Sequence, residues 1–133
     1  MNTFFDKTGT WIMPVGRILI ALIFVTAGYG KIGAYEATQG YMDAMGVPGG
    51  LLPLVIILEL GGGILLMLGL FTRYIALALA GFSILSAILF HGNFSDQMQE
   101  IMFLKNLSIA GGFLFLVAFG AGKISLDSRL GLS

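Results

Sequence analysis

The 133-residue chain is 57% hydrophobic and only 11% charged, where soluble domains run near 25% charged, too little polar surface for a water-soluble fold of this length. Seven basic residues balance seven acidic ones, so no long-range field points to nucleic acid or an acidic substrate. The absence of cysteine and the single histidine exclude disulfide exchange, thiol nucleophiles, zinc ribbons and Fe–S ligation by this chain alone.

Four apolar stretches occur in order, at about 12–30, 51–70, 74–90 and 101–119. Ile12–Tyr29 carries only Arg17, Leu51–Leu70 only Glu59, Tyr74–Phe90 no charge, and Ile101–Phe119 only Lys105. Each is long enough, at 1.5 Å per residue, to cross a hydrocarbon core of roughly 30 Å. Buried helices of a soluble bundle would show polar outer stripes, and these show none. A cleavable signal peptide does not fit the first stretch, because Arg17 lies inside the apolar run and Thr26-Ala27-Gly28 is a poor cleavage site. Pro14 suits the first turn of a helix, with Trp11 one turn earlier at interface depth. Phe71-Thr72-Arg73 leaves a short turn that makes spans two and three an antiparallel hairpin. The expected fold is all-α, an integral membrane four-helix bundle forming one domain over residues 1–133.

Between spans one and two, Tyr35, Thr38, Tyr41, Met42 and Met45 recur at helical spacing, and Gly46-Val47-Pro48-Gly49-Gly50 ends the pattern. This predicts a short amphipathic helix lying at the interface and capping the bundle. Lys7, Arg73, Lys123 and Arg129 collect on one side, with Arg17 near them, against Lys31 and Lys105 on the other. The positive-inside rule then puts both termini in the cytoplasm, N-in/C-in, with the interfacial helix in the first outer loop. The segment Ser125–Ser133 reads as a polar, partly disordered tail.

Charges at membrane depth need a partner or a wet cavity. Glu59 lies roughly 12 Å inside the second span and Lys105 about four residues into the fourth, a vertical offset near 6 Å that a lysine stem can bridge. Arg17 enters from the opposite face. Helical phase aligns Arg17, Ala21, Phe24, Gly28 and Lys31 on span one, and Glu59 with Gly62, Gly63 and Leu66 on span two. Two readings stand side by side. In one, the charges form a salt bridge that sets helix register. In the other, Glu59, His91, Lys105 and Asn106 converge beneath Tyr41 as a small-molecule pocket. There a planar quinone would accept hydrogen bonds from Lys105 and His91 and pack on Phe90 or Phe103, with Glu59 and His91 able to carry protons. The ligand-binding candidates are therefore Glu59, His91, Lys105, Asn106, Arg17 and Tyr41. No catalytic residue or metal site is assigned, and haem is disfavoured because a lone histidine lacks a second axial partner. Gly61-Gly62-Gly63 lies inside a span, so it admits a neighbouring helix and is no phosphate loop.

The runs GRILIALIFVTAGYGKI (Gly16–Ile32), YMDAMGVPG (Tyr41–Gly49), ELGGG (Glu59–Gly63), GLFTR (Gly69–Arg73), FHGNF (Phe90–Phe94) and FLKNLSIAGGFL (Phe103–Leu114) together resemble the DoxX family, and in particular its YqjF-like bacterial inner-membrane branch. The resemblance covers Pro14 to Asp127. It implies a multi-pass protein of the bacterial inner (plasma) membrane. The family takes its name from a quinol oxidase and thiosulfate:quinone oxidoreductase context, and other members are linked to quinone or oxidative stress and carry oxidoreductase labels. Arg17, Lys31, Glu59, Arg73, His91, Lys105 and Asn106 occupy its polar motif positions. A quinone-associated redox role is expected on this ground, either by binding quinone or by anchoring a redox partner protein. The chain shows no electron carrier of its own, so whether it is an enzyme stays open. A non-catalytic assembly subunit and a small-solute transporter remain alternatives, the latter without an inverted repeat of broken helices. The partners expected are the lipid bilayer, a redox protein and a second copy of the chain, and not nucleic acid.

Overall fold

The computed structural model describes residues 3–132. Helix α1 spans Thr3–Gly33, α2 Tyr35–Ala44, α3 Leu52–Ile56, α4 Gly62–Leu68, α5 Thr72–Phe90, α6 Gln97–Phe119 and α7 Leu126–Arg129. A one-turn 3₁₀ segment, Gly49–Leu51, leads into α3, and a π-helical turn, Ile57–Gly61, joins α3 to α4. The four segments of membrane-crossing length and apolarity are Asp6–Gly33, Gly49–Leu68, Thr72–Phe90 and Gln97–Phe119. The expected all-α membrane bundle is thus present, and the described residues contain no strand. In the most apolar stretch of each span fewer than a third of the residues are buried. Large apolar side chains, chiefly leucine and isoleucine, dominate the exposed faces, which suits lipid and would aggregate in water.

Small residues set the helix spacing. Ala21, Ala76, Ala80 and Ala110 join Phe24, Leu66, Leu79, Phe113 and Leu116 in the core, where Phe24 and Phe113 tilt together at 5.4 Å. Hydrophobic burial gains nothing against lipid tails, so close packing carries the association. The α5–α6 hairpin forms the most extensive helix contact, while α1 lies along α4 and the π turn. A Cβ on Gly63 would come within 2.7 Å of Val25 Cγ2, and one on Gly28 within 2.8 Å of the Leu60 backbone nitrogen. The glycine run in span two therefore admits a neighbour closely at Gly63, and that neighbour is α1.

Two local expectations change. Helix α1 starts well ahead of the apolar stretch, so Pro14 falls inside the helix and not in its first turn. Its ring removes the N–H that would bond the Thr10 carbonyl, a defect that membrane helices tolerate when neighbours compensate. The expected disordered tail is instead helical over Leu126–Arg129, with Asp127 buried. Their structure comes from a cap that the sequence offers plainly: Ser125 accepts a hydrogen bond from the Ser128 N–H at 3.1 Å. The predicted interfacial helix is α2, which buries Met42 and ends at Gly46 with φ of 81°.

Candidate functional site

The π turn is centred on Glu59. One wide turn in an α-helix shifts the phase of every later residue in the span, and such turns recur at functional sites. Glu59 is 3% exposed, and its Oε1 accepts a hydrogen bond from Lys31 Nζ in the one ion pair among the described residues. Lys31 lies in the last turn of α1, where a cation also favours the helix dipole. Close approach of α1 to the π turn, permitted by Gly28 against Leu60, brings the two charges together. Lys105, the partner expected from depth alone, is exposed on α6. Depth is a one-dimensional criterion, whereas the pairing is decided by which helix packs against span two.

Beside this pair lies a cavity of about 460 Å³, within the range of roughly 300–1,000 Å³ usual for small-molecule sites. Its polar lining comes from Lys31, Thr38, Tyr41, Ser86 and His91, and the rest is apolar, chiefly leucine from the second and third spans. Tyr41 of α2 stacks on Phe90 of α5 with ring centroids 5.4 Å apart and planes 20° from parallel, so α2 roofs the space. His91 caps α5, and its Nδ1 lies 2.9 Å from Gln99 Oε1. That oxygen can only accept, which places a proton on Nδ1 and leaves Nε2 an acceptor in the neutral ring.

At the other end of the bundle Arg17 is 3% exposed. Its Nη1 donates to the carbonyls of Ala121 and Ile124, the latter at 3.0 Å, and its Nη2 to that of Met67 at 3.5 Å. Asp127 stands within Coulombic range and accepts the N–H groups of Phe71 at 2.7 Å and Thr72 at 2.9 Å. Those donors open α5, and Phe71 holds a left-handed φ of 53°, a cost of about 1 kcal/mol or more for a bulky side chain that the carboxylate offsets. Gly69, at φ 71°, meets both Arg17 and Ser125 so closely that a Cβ would lie 2.5 Å from Ser125 Cβ. First span, second-to-third turn and C-terminal segment are tied here at one point.

Of the six candidates, the structure brings Tyr41 and His91 into the cavity lining, with Glu59 attached through Lys31. Asn106 is half-buried and Lys105 exposed, both on α6 and neither among the cavity's lining residues. Arg17 belongs to the opposite end. Two residues outside the candidate set matter as much. Lys31 shares the helical stripe of Arg17 and Gly28, a signal already in the phase of α1. Asp127 had its signal in the Ser-Leu-Asp-Ser cap.

A four-span membrane bundle, with a half-buried ion pair beside a cavity among its spans, is the class of protein these features define. The DoxX family model matches residues 12–92. The chain is 54% identical over 116 residues to inner membrane protein YqjF of Escherichia coli K12, covering 87% of this chain and 89% of that protein. It is 35% identical over 126 residues to inner membrane protein YphA of the same strain, covering 89% of each. The ER-derived vesicles protein ERV29 of Saccharomyces cerevisiae is 26% identical over 134 residues, covering 97% of this chain and 37% of that protein. No solved structure matches. The chain belongs to the DoxX family, and it is a multi-pass inner-membrane protein.

Proposed function

We propose that this protein binds a quinone-type ring in the cavity under α2, at the outer side of the inner membrane, and serves quinone-linked redox or oxidative-stress chemistry there. The observation that carries the reading is the distribution of polar groups around the cavity. Lys31, Thr38, Tyr41 and His91 come from helix ends and from the α2 roof, while the deeper walls are mostly leucine. Such a site suits a ligand with a small polar head and an apolar body. Lys31 carries three N–H donors and directs one to Glu59, leaving others for a carbonyl oxygen. His91 Nε2 is an acceptor, suited to a phenolic hydroxyl of the reduced ring, and the Tyr41–Phe90 pair gives a flat wall. The chain has no cysteine and shows no electron carrier, so electrons reach the ring through a partner protein's cofactor. Lys105 and Asn106 lie on α6, away from the ring, and suit contact with that partner.

Isothermal titration of the purified protein in nanodiscs with a soluble quinone analogue tests this. Lys31→Met should weaken binding of the quinone, and His91→Ala binding of the same analogue in its reduced, hydroxyl-bearing form, each by about 1–3 kcal/mol, the usual result of deleting a buried hydrogen-bond partner, and Lys105→Met should leave both unchanged. Absence of binding to the wild type would remove the reading. A second reading, a purely structural subunit, draws on the tail end, where Arg17 and Asp127 direct their hydrogen bonds to the chain's own backbone.

A further inference from the structure

The cavity has a side as well as a roof. Helix α4 packs on α5, whereas α3, which carries span two toward α2, makes little contact with it. The two spans therefore diverge from the π turn upward, and the cavity occupies the gap. Leu54 of α3 and Leu85 of α5 line it and are nevertheless 63% and 54% exposed. Each lies five positions from the α2-side end of its span, at Gly49 and Phe90, or about 7–8 Å inward at helical rise. At that depth the surroundings are hydrocarbon and not water. The opening between Leu54 and Leu85 thus leads into the bilayer.

The charge at the polar end of the cavity narrows the ligand further. Lys31 is the sole cation among the lining residues, and Glu59 neutralises it. An anionic head would have to displace Glu59 and strand a buried carboxylate, whereas a neutral acceptor needs only the free N–H groups.

Resting on the quinone reading, we infer that the natural ligand is a neutral lipid with a long apolar tail, which enters sideways from the membrane and leaves its tail between α3 and α5. A tail-less, water-soluble compound would use only the head site.

Two probes separate this inference from the reading beneath it: a dimethoxy-methyl benzoquinone without a tail, and the same ring with a decyl chain. Titrated against wild type in one detergent, the decyl compound should bind about tenfold more tightly, roughly the worth of two buried methylene groups. Leu54→Trp and Leu85→Trp, which fill the opening, should abolish that preference. Leu114→Trp, on an exposed α6 position outside the cavity lining, should preserve it and controls for partitioning into micelles. Equal affinity of both probes for wild type would overturn the side entry while leaving the head site standing. Binding of neither would overturn both. Displacement of the decyl compound by oleate at equal concentration would overturn the requirement for a neutral head, as would co-purification of a stoichiometric anionic phospholipid that blocks both probes.

Discussion

Arg17 and Lys31 sit on the same stripe of α1, one near each end, and meet different surroundings. Around Arg17 the chain excludes solvent: three carbonyls accept from its Nη1 and Nη2, Nε is buried with no hydrogen-bond partner among the described residues, Asp127 lies within Coulombic range, and both ionic side chains are at most 5% exposed. Around Lys31 the chain supplies one partner, Glu59, and the lysine side chain stays 28% exposed beside an open volume. A charge surrounded by its own backbone stabilises a fold and has little left to offer a ligand. A charge that is only half-enclosed retains donors for something else. Position on the same helix face therefore does not imply the same role.

Removing the closed charge should give the largest effect. Arg17→Met leaves three carbonyls and a buried carboxylate without their cation, a change of the kind that costs about 3–5 kcal/mol. Denaturation in mild detergent should report a loss of that order, and quinone-analogue binding per folded molecule should be retained. A variant as stable as wild type would erase the contrast between the two ends.

Glu59→Gln should cost less, about 1–3 kcal/mol, because Lys31 can turn toward the cavity and the interface. Adding Lys31→Met should recover much of the loss, while adding Lys105→Met should recover none. Additive losses for the Glu59 and Lys31 changes would show that the pair carries no coupling.

How far the sequence reaches obeys the same division. The four spans are legible because stretches of about twenty predominantly apolar residues admit few alternatives, and α2 because its apolar positions recur at helical spacing. The glycine run of span two announces close packing, and the bond between Glu59 and some basic residue comes from the energetics of membrane burial. What the sequence does not supply is the neighbour relation among helices. Depth places Lys105 opposite Glu59, but only the α1–π-turn contact, with Gly28 against Leu60, selects Lys31. The π turn itself has no periodic signature, since it displaces phase by one residue within a stretch that is apolar on every side. The order of the tail is legible only in part, for a related reason: the Ser125 cap is local, but Asp127 is a polar residue whose partners, Gly69, Phe71 and Thr72, lie more than fifty positions away.

The smallest predicted effect concerns the roof. Tyr41 and Phe90 form the aromatic contact that joins α2 to the end of α5, and stacked pairs of this kind contribute about 0.5–1.5 kcal/mol beyond their area. Helix α2 is otherwise held by Met42, which is buried, and by Asp43 and Gln39, which bond the Gly49 backbone at 2.7 Å and 3.2 Å. Tyr41→Leu should therefore leave α2 folded and global stability nearly unchanged, while local opening of the roof becomes more frequent. Amide hydrogen exchange would read this directly: amides of α2 should exchange several-fold faster, about what a loss of 1 kcal/mol implies, with those of α7 unaffected. Exchange that quickens equally at α7 would mean that the two ends open together. The half-enclosed end would then have no independent mobility for admitting a ligand.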